Sequence, residues 1–271
     1  MNLAPRNKRQ HGFTLIELMV GLGIFLLITG AAFTLLSSSQ QRYQSESQVL
    51  TSFQEARLGL DQMVRDIDDA GFPPPTYFSS SFPLLSASAP FGWSPGYTVP
   101  TPCQIGTGGG GTCFTPGDFD VIIETNPNPQ DPGSQVEWIE YKLQGTTLMR
   151  GVANKAPSAD PSVQVQTSGT LGPFVQNVVN NTCPPQIPQC QAAYPGIFGG
   201  GPVPIFSYTC DNSSPPPSAL LCLAAGADNS PANIRDVAIT LIVAAPLPDA
   251  ATGVPRLVQL SGRGRRINPN Q

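Results

Sequence analysis

Charge is scarce in this chain of 271 residues: Asp, Glu, Lys and Arg together make up 12%. Histidine is scarcer, with His11 the single example, and lysine occurs only as Lys8, Lys142 and Lys155. The shortage excludes Ser-His-Asp and Cys-His nucleophile arrangements beyond position 11, and any His-bearing metal site there. No C-x2-C pair occurs among the six cysteines, which speaks against zinc. The run Gly108-Gly109-Gly110-Gly111 lacks the Lys-Ser/Thr that a phosphate loop needs. The acidic pairs Asp68/Asp69 and Asp118/Asp120 have no EF-hand spacing and read as solvated helix or strand ends, and Asp211-Asn212-Ser213 reads alike. Trp93 and Trp138 read as core or loop anchors. No enzyme, cofactor or metal is expected. A net charge of −4 argues against a general nucleic-acid surface, which is basic, so no nucleic-acid partner is inferred.

Proline is absent from one long stretch. Of 30 prolines, 29 fall between Pro73 and Pro269, and none lies between Pro5 and Pro73. The proline-free stretch begins with a basic leader holding Arg6, Lys8, Arg9 and His11. An apolar run follows from Phe13 to Leu36, with Glu17 its only charge. That run is long enough to span a hydrocarbon core of about 30 Å. Arg6, Lys8 and Arg9 before it, against a lone Arg42 just after it, place the N-terminus in the cytoplasm and the rest outside. A carboxylate within such a run is expensive and marks a functional site. A signal peptide cleaved near Gly30-Ala31-Ala32 leaves Glu17 unexplained. A plain anchor explains the length but not the spacing of Gly12, Phe13 and Glu17.

From Ser37 to Ala70 the pattern predicts an amphipathic continuation of the helix. Val49, Phe53, Ala56, Leu60, Met63 or Val64, and Ile67 recur at spacings of three and four. Arg57–Asp61 and Asp61–Arg65 are i,i+4 pairs on the other face. Gly71 is a natural residue just past a helix end, and Pro73-Pro74-Pro75 forbids continuation.

The stretch Gly12-Phe13-Thr14-Leu15-Ile16-Glu17-Leu18-Met19-Val20 resembles the processing and methylation motif of type IV pilins and type II secretion pseudopilins. The resemblance implies cleavage by a prepilin peptidase after Gly12, N-methylation of Phe13, and an assembly role for Glu17. Cleavage would shift the side-chain charge from 14 − 18 = −4 to 11 − 18 = −7. The run from Arg57 to Phe72 is similar to the helix end of minor pilins of the W type. It is also similar to that of the J-type minor pseudopilins, although Asp68 stands where a basic residue is usual. The implied fold is α+β, the type IV pilin fold: a long N-terminal helix packed on an antiparallel β-sheet head with disulfide-bonded loops. The implied organisation is leader 1–12, transmembrane half 13–36, amphipathic half 37–71 and periplasmic or extracellular head 72–271. The implied role is a minor pilin that initiates or caps a type IV pilus. A type II minor pseudopilin and a non-polymerising membrane-anchored binding module stay open. The partners implied are other minor and major pilins, the prepilin peptidase, the inner-membrane assembly platform, and lipid around 13–36. The protein would sit in the inner membrane first and in the surface pilus later.

Strand signals in the head fall at Asp118–Thr125, Gln135–Leu143, Thr146–Arg150, Pro204–Thr209, Asp236–Ala244 and Arg256–Leu260. In the second, Ile139, Tyr141 and Leu143 share one face and Glu140 and Lys142 the other. Residues 73–117, 151–202 and 210–233 read as loops. The cysteines Cys103, Cys113, Cys183, Cys190, Cys210 and Cys222 all lie on the exported side, where disulfides persist. Six cysteines allow 15 connectivities. Clustering in twos favours 103–113, 183–190 and 210–222.

Overall fold

Helix α1 runs unbroken over Leu15–Asp68, 54 residues. Nothing in the proline-free stretch interrupts its hydrogen-bond ladder. The computed structural model describes residues 12–73, 90–91, 116–126, 128–131, 133–155, 165, 170–211, 219–222, 234–249 and 252–267. The chain divides into two compact units, one ending at Ser47 and one beginning at Gln48. In the first unit the helix is solvent-exposed almost throughout, and its large apolar side chains through Leu36 are uncovered.

The second unit contains the last turns of α1 and two antiparallel four-stranded sheets. The first sheet has the order β1-β2-β3-β4, with β1 Asp120–Thr125, β2 Glu137–Gln144, β3 Thr147–Asn154 and β4 Gly172–Val175. The second has the order β6-β5-β7-β8. Here β5 is Phe206–Asp211, β6 Ala219–Leu221, β7 Ile234–Pro248 and β8 Pro255–Arg265. The architecture is α+β, a long N-terminal helix with antiparallel sheets and two disulfides, as expected of a type IV pilin fold. The single sheet implied by the sequence is in fact two. Main-chain bonds from Ile205 and Phe206 to the Asp118 carbonyl tie them together.

The core forms where the helix stripe meets both sheets. Ala56, Leu60, Met63 and Ile67 pack with Ile139 and Tyr141 of β2, Phe206 of β5, and Val237, Ile239 and Leu241 of β7. The alternation read in β7 is therefore the core-facing set. Glycines on β8 let the helix come close. A Cβ added at Gly264 would lie 2.5 Å from Ile67 Cγ2. On the opposite helix face Arg57, Asp61 and Arg65 are exposed. No ion pair joins these three residues, so the i,i+4 pairing expected of them is not made.

Several boundaries differ from the sequence expectation. The helix stops at Asp68, before Ala70, and a turn leads to Gly71 at φ 81°. Tertiary bonds capture the chain there. The Asp69 carbonyl accepts the Thr125 hydroxyl (2.9 Å), and the Gly71 N–H reaches the Glu124 carbonyl (2.8 Å). Residues 151–202, expected as loop, include the second half of β3, strand β4, and two one-turn helices at Cys190–Ala193 and Pro195–Phe198. They also build a second cluster of Val179, Ile187, Cys190 and Phe198 against Ile242 and Ala244 of β7. Residues 210–233, likewise expected as loop, supply β6. Strand β8 runs beyond its expected span because its register with β7 continues to Asp236↔Arg265, and β7 is lengthened at its two ends by the pairs Cys210↔Ile234 and Pro248↔Pro255.

Candidate functional site

At the N-terminal motif, Gly12 and Phe13 lie in extended chain directly before the helix, both exposed, and α1 begins at Leu15. Thr14 is the N-cap. Its hydroxyl oxygen accepts the Glu17 N–H (3.3 Å), while Glu17 Oε2 accepts the Thr14 N–H (2.9 Å) and the Thr14 hydroxyl (2.9 Å). This reciprocal pattern is a capping box, which satisfies two of the donors that a helix start leaves open. Oε1 of Glu17 has no hydrogen-bond partner among the described residues, so one oxygen faces outward. Around a Cβ placed on Gly12 no atom of the described residues lies within 4 Å. The helix then presents apolar surface on every side: Phe13 is 89% exposed and Leu27 76%. It is the one described helix long and apolar enough to cross a membrane.

Two cysteine pairs are joined in the head. Cys183–Cys190 closes a loop of the second cluster, and Cys210–Cys222 links β5 to the turn after β6. Cys103 and Cys113 lie outside the described residues, as do His11, Trp93, the glycine run, and Asn212 and Ser213.

Charged groups inside the head hold it together in a way the sequence pattern did not reveal. Asp66 sits on the buried helix stripe, 7% exposed. Its carboxylate accepts Gln62 Nε2 (2.7 Å), the Tyr141 hydroxyl (2.5 Å), and Nε and Nη2 of Arg150 (3.2 and 3.0 Å). The Arg150 guanidinium also lies 5.7 Å from the Tyr141 ring centre. Burial, then the neighbouring Asp66 charge, holds the Tyr141 phenol well above its ordinary range, so it stays a donor.

The acidic pairs are not simply solvated. Asp68 Oδ1 accepts the Arg265 N–H (2.7 Å) and its carbonyl accepts the Ile267 N–H, which fastens the end of β8 to the helix end. Asp118 is exposed, but Asp120 is half-buried and pairs with Lys142 at 3.0 Å. Burial pushes the Asp120 carboxyl up to about 6, against the pull of Lys142 and with a push from Glu140. Glu140, expected on a polar face, is fully buried. That face of the first sheet is covered by its own cluster of Ile122, Trp138, Ala153 and Val165.

The sequence profile of the prokaryotic N-terminal methylation motif matches residues 7–33. This chain carries that motif. It supports a type IV pilin or pseudopilin, a class of structural subunits that assemble with other pilins and are processed by a prepilin peptidase. No curated protein and no solved structure matches the chain. Thr14 is the site residue that sequence reasoning missed, although Thr-x-x-Glu before an apolar run is its signature. Asp66 was also missed. Its signal was an acid lying three residues from Met63 on the apolar stripe.

Proposed function

We propose that this protein is a minor pilin, a structural subunit that helps to initiate or cap a type IV pilus. The observation that carries this reading is the methylation motif set at the mouth of a capped helix that is apolar through Leu36 except at Glu17. Under it the leader ends at Gly12, the mature chain starts at N-methyl-Phe13, residues 13–36 span the inner membrane, and the head from residue 72 enters the periplasm. The partners are other minor and major pilins, the prepilin peptidase and the inner-membrane assembly platform. After assembly the protein sits in the surface pilus. Glu17 pairs with the N-terminal amine of an adjacent subunit, because an unpaired charge buried among helices is costly.

The capping box sharpens the test. Glu17→Leu removes both the charge and the cap, and a cap is worth about 1 kcal/mol. Glu17→Gln keeps an acceptor at the same position and removes only the charge. Mass spectrometry of the mature N-terminus is expected to give N-methyl-Phe13 in both variants. A start after Ala32 would mean an ordinary signal peptide. Co-purification with partner pilins, and pilus counts, are expected to fall for both variants. Wild-type incorporation of Glu17→Gln would refute the charge pairing.

A second reading, a minor pseudopilin of type II secretion, is favoured by the same run from Arg57 to Phe72. Deletion that abolishes exoprotein release but leaves pili would select it.

A further inference from the structure

On one face of the first sheet a carboxylate and an amine pair out of water, with a buried amide two residues along the same chain segment. Glu124 is fully buried, with Oε1 accepting Trp138 Nε1–H (2.9 Å) and Oε2 accepting Lys155 Nζ (3.1 Å). Lys155 is 9% exposed and Asn126 1%. Asn126 follows Glu124 by two residues. The last rung of the β1–β2 ladder pairs Thr125 with Glu137. Continuing that register by one rung sets Asn126 opposite Val136, whose carbonyl accepts the Lys155 N–H (2.8 Å). Asn126, Val136 and Lys155 thus form one row over three strands. The Asn126 amide is held asymmetrically. Its Oδ1 accepts the Asn128 N–H (3.1 Å) and the Ser134 hydroxyl (2.5 Å), while its buried Nδ2 has no hydrogen-bond partner.

Together these groups supply the parts of an acyl transfer. An amine held in a buried site beside a carboxylate has a base within hydrogen-bond reach to take its proton. An amide whose oxygen faces two donors is polarised, and those donors lie where negative charge develops on attack. The nitrogen that must leave is the one atom not tied down. Fixing both reactants in one fold replaces a bimolecular encounter with an intramolecular one.

We propose that Lys155 and Asn126 form an intramolecular amide crosslink, with Glu124 as the proton carrier. The Lys155 ammonium passes a proton to Glu124, and the free Nζ attacks Asn126 Cγ. Oδ1 carries the negative charge between Asn128 N–H and Ser134 Oγ–H. Glu124 delivers its proton to Nδ2 and accepts one from the attacking nitrogen. The Cγ–Nδ2 bond breaks as the carbonyl re-forms. Ammonia leaves, taking the last proton as ammonium and restoring the Glu124 carboxylate. One C–N bond is made and one broken, and nothing is oxidised or reduced.

The test is the mass of the full mature protein, purified in detergent, denatured and reduced. The wild type is expected to weigh one ammonia less than its processed sequence. Peptide mapping is expected to join the Asn126 and Lys155 peptides, with trypsin no longer cutting after Lys155. Lys155→Arg keeps a cation beside Glu124, and Asn126→Ala removes the acyl carbon; each is expected to retain the full mass. Glu124→Gln is expected to slow crosslinking at least tenfold. A wild-type chain of full mass overturns the proposal. So does an ammonia loss that persists in Lys155→Arg, which would mark a succinimide elsewhere. Crosslinking of Glu124→Gln at the wild-type rate removes the role given to Glu124.

Discussion

Replacing Gly264 with Ala tests the contact that seats the helix on the second sheet. The added methyl would lie 2.5 Å from Ile67 Cγ2, 2.7 Å from Ile67 Cβ and 3.2 Å from the Val64 carbonyl oxygen. Cβ of Ile67 is fixed to the helix backbone, so no rotamer change moves it away. Carbon atoms settle at about 3.5–4 Å, so strand and helix must part by about 1 Å. Overpacking of this kind costs about 1–3 kcal/mol. The smaller freedom of Ala in the unfolded chain offsets about 0.4–1 kcal/mol of that. The expected net loss is about 1–2 kcal/mol. Gly262 is the internal control. There the methyl would meet Leu60 Cδ1 at 2.9 Å and Leu60 Cγ and Val64 Cγ2 at 3.1 Å, all side-chain atoms beyond Cβ. Gly262→Ala is therefore expected to be close to neutral. Urea unfolding of the mature protein in detergent, followed by tryptophan fluorescence, measures both. Pairing Gly264→Ala with Ile67→Ala should cost less than the two single losses added, because one clashing atom is gone. A Gly264→Ala midpoint equal to wild type, or a Gly262→Ala loss larger than that of Gly264→Ala, would refute the packing argument.

Three further outcomes follow from the head's interior. Asp66→Asn leaves the Arg150 guanidinium without its charged partner and should lower stability by about 2–3 kcal/mol in the same unfolding assay; an unchanged midpoint would show the network to be incidental. Asp120 has a folded pKa of about 6 against an ordinary 3.8, so the fold favours its protonated form. Its contribution is fully present below about 3.8 and is lost as pH rises through 6, a change of at most about 3 kcal/mol. Asp120→Asn should flatten the fall in urea midpoint between those values, and an unaltered slope would contradict it. Asn180 donates to the Val203 and Thr240 carbonyls (3.0 and 2.8 Å) and accepts the Ile242 N–H (2.8 Å). Asn180→Ala should cost about 2–4 kcal/mol by stranding those buried groups, and hydrogen exchange at Ile242 should report it directly.

Much of the fold was legible because its signals are local. The absence of proline up to Phe72 and the three-and-four stripe from Val49 to Ile67 specify one helix. The alternation of Val237, Ile239, Leu241 and Val243 specifies a strand with one buried face. Signals that depend on the partner surface were not legible. Glu140 and Lys142 have the period of a solvent-facing edge, yet residues far along the chain cover that face, so Glu140 is buried. Strand β4 holds only four residues around Pro173 and is placed by pairing with β3, which no local periodicity announces. The helix end moved from Ala70 to Asp68 because β1 takes the Asp69 carbonyl and the Gly71 N–H, and Ile267, just past β8, takes the Asp68 carbonyl.

The motif itself was legible as chemistry and illegible as geometry. Spacing alone singled out Glu17 as a charge out of place in an apolar segment, and that reasoning points outward, to a neighbouring subunit. The structure adds an inward demand, since the same carboxylate closes the capping box with Thr14. The two demands do not compete. The cap uses Oε2, and Oε1 is left facing out. A side chain already fixed by two bonds from Thr14 also has little rotamer freedom left to lose on meeting a positive group, which is the main cost of an exposed ion pair. On the reading proposed here the cap therefore prepares the assembly contact. Thr14 belongs to the site as the residue that aims Glu17, one position after the amine that processing would expose at Phe13.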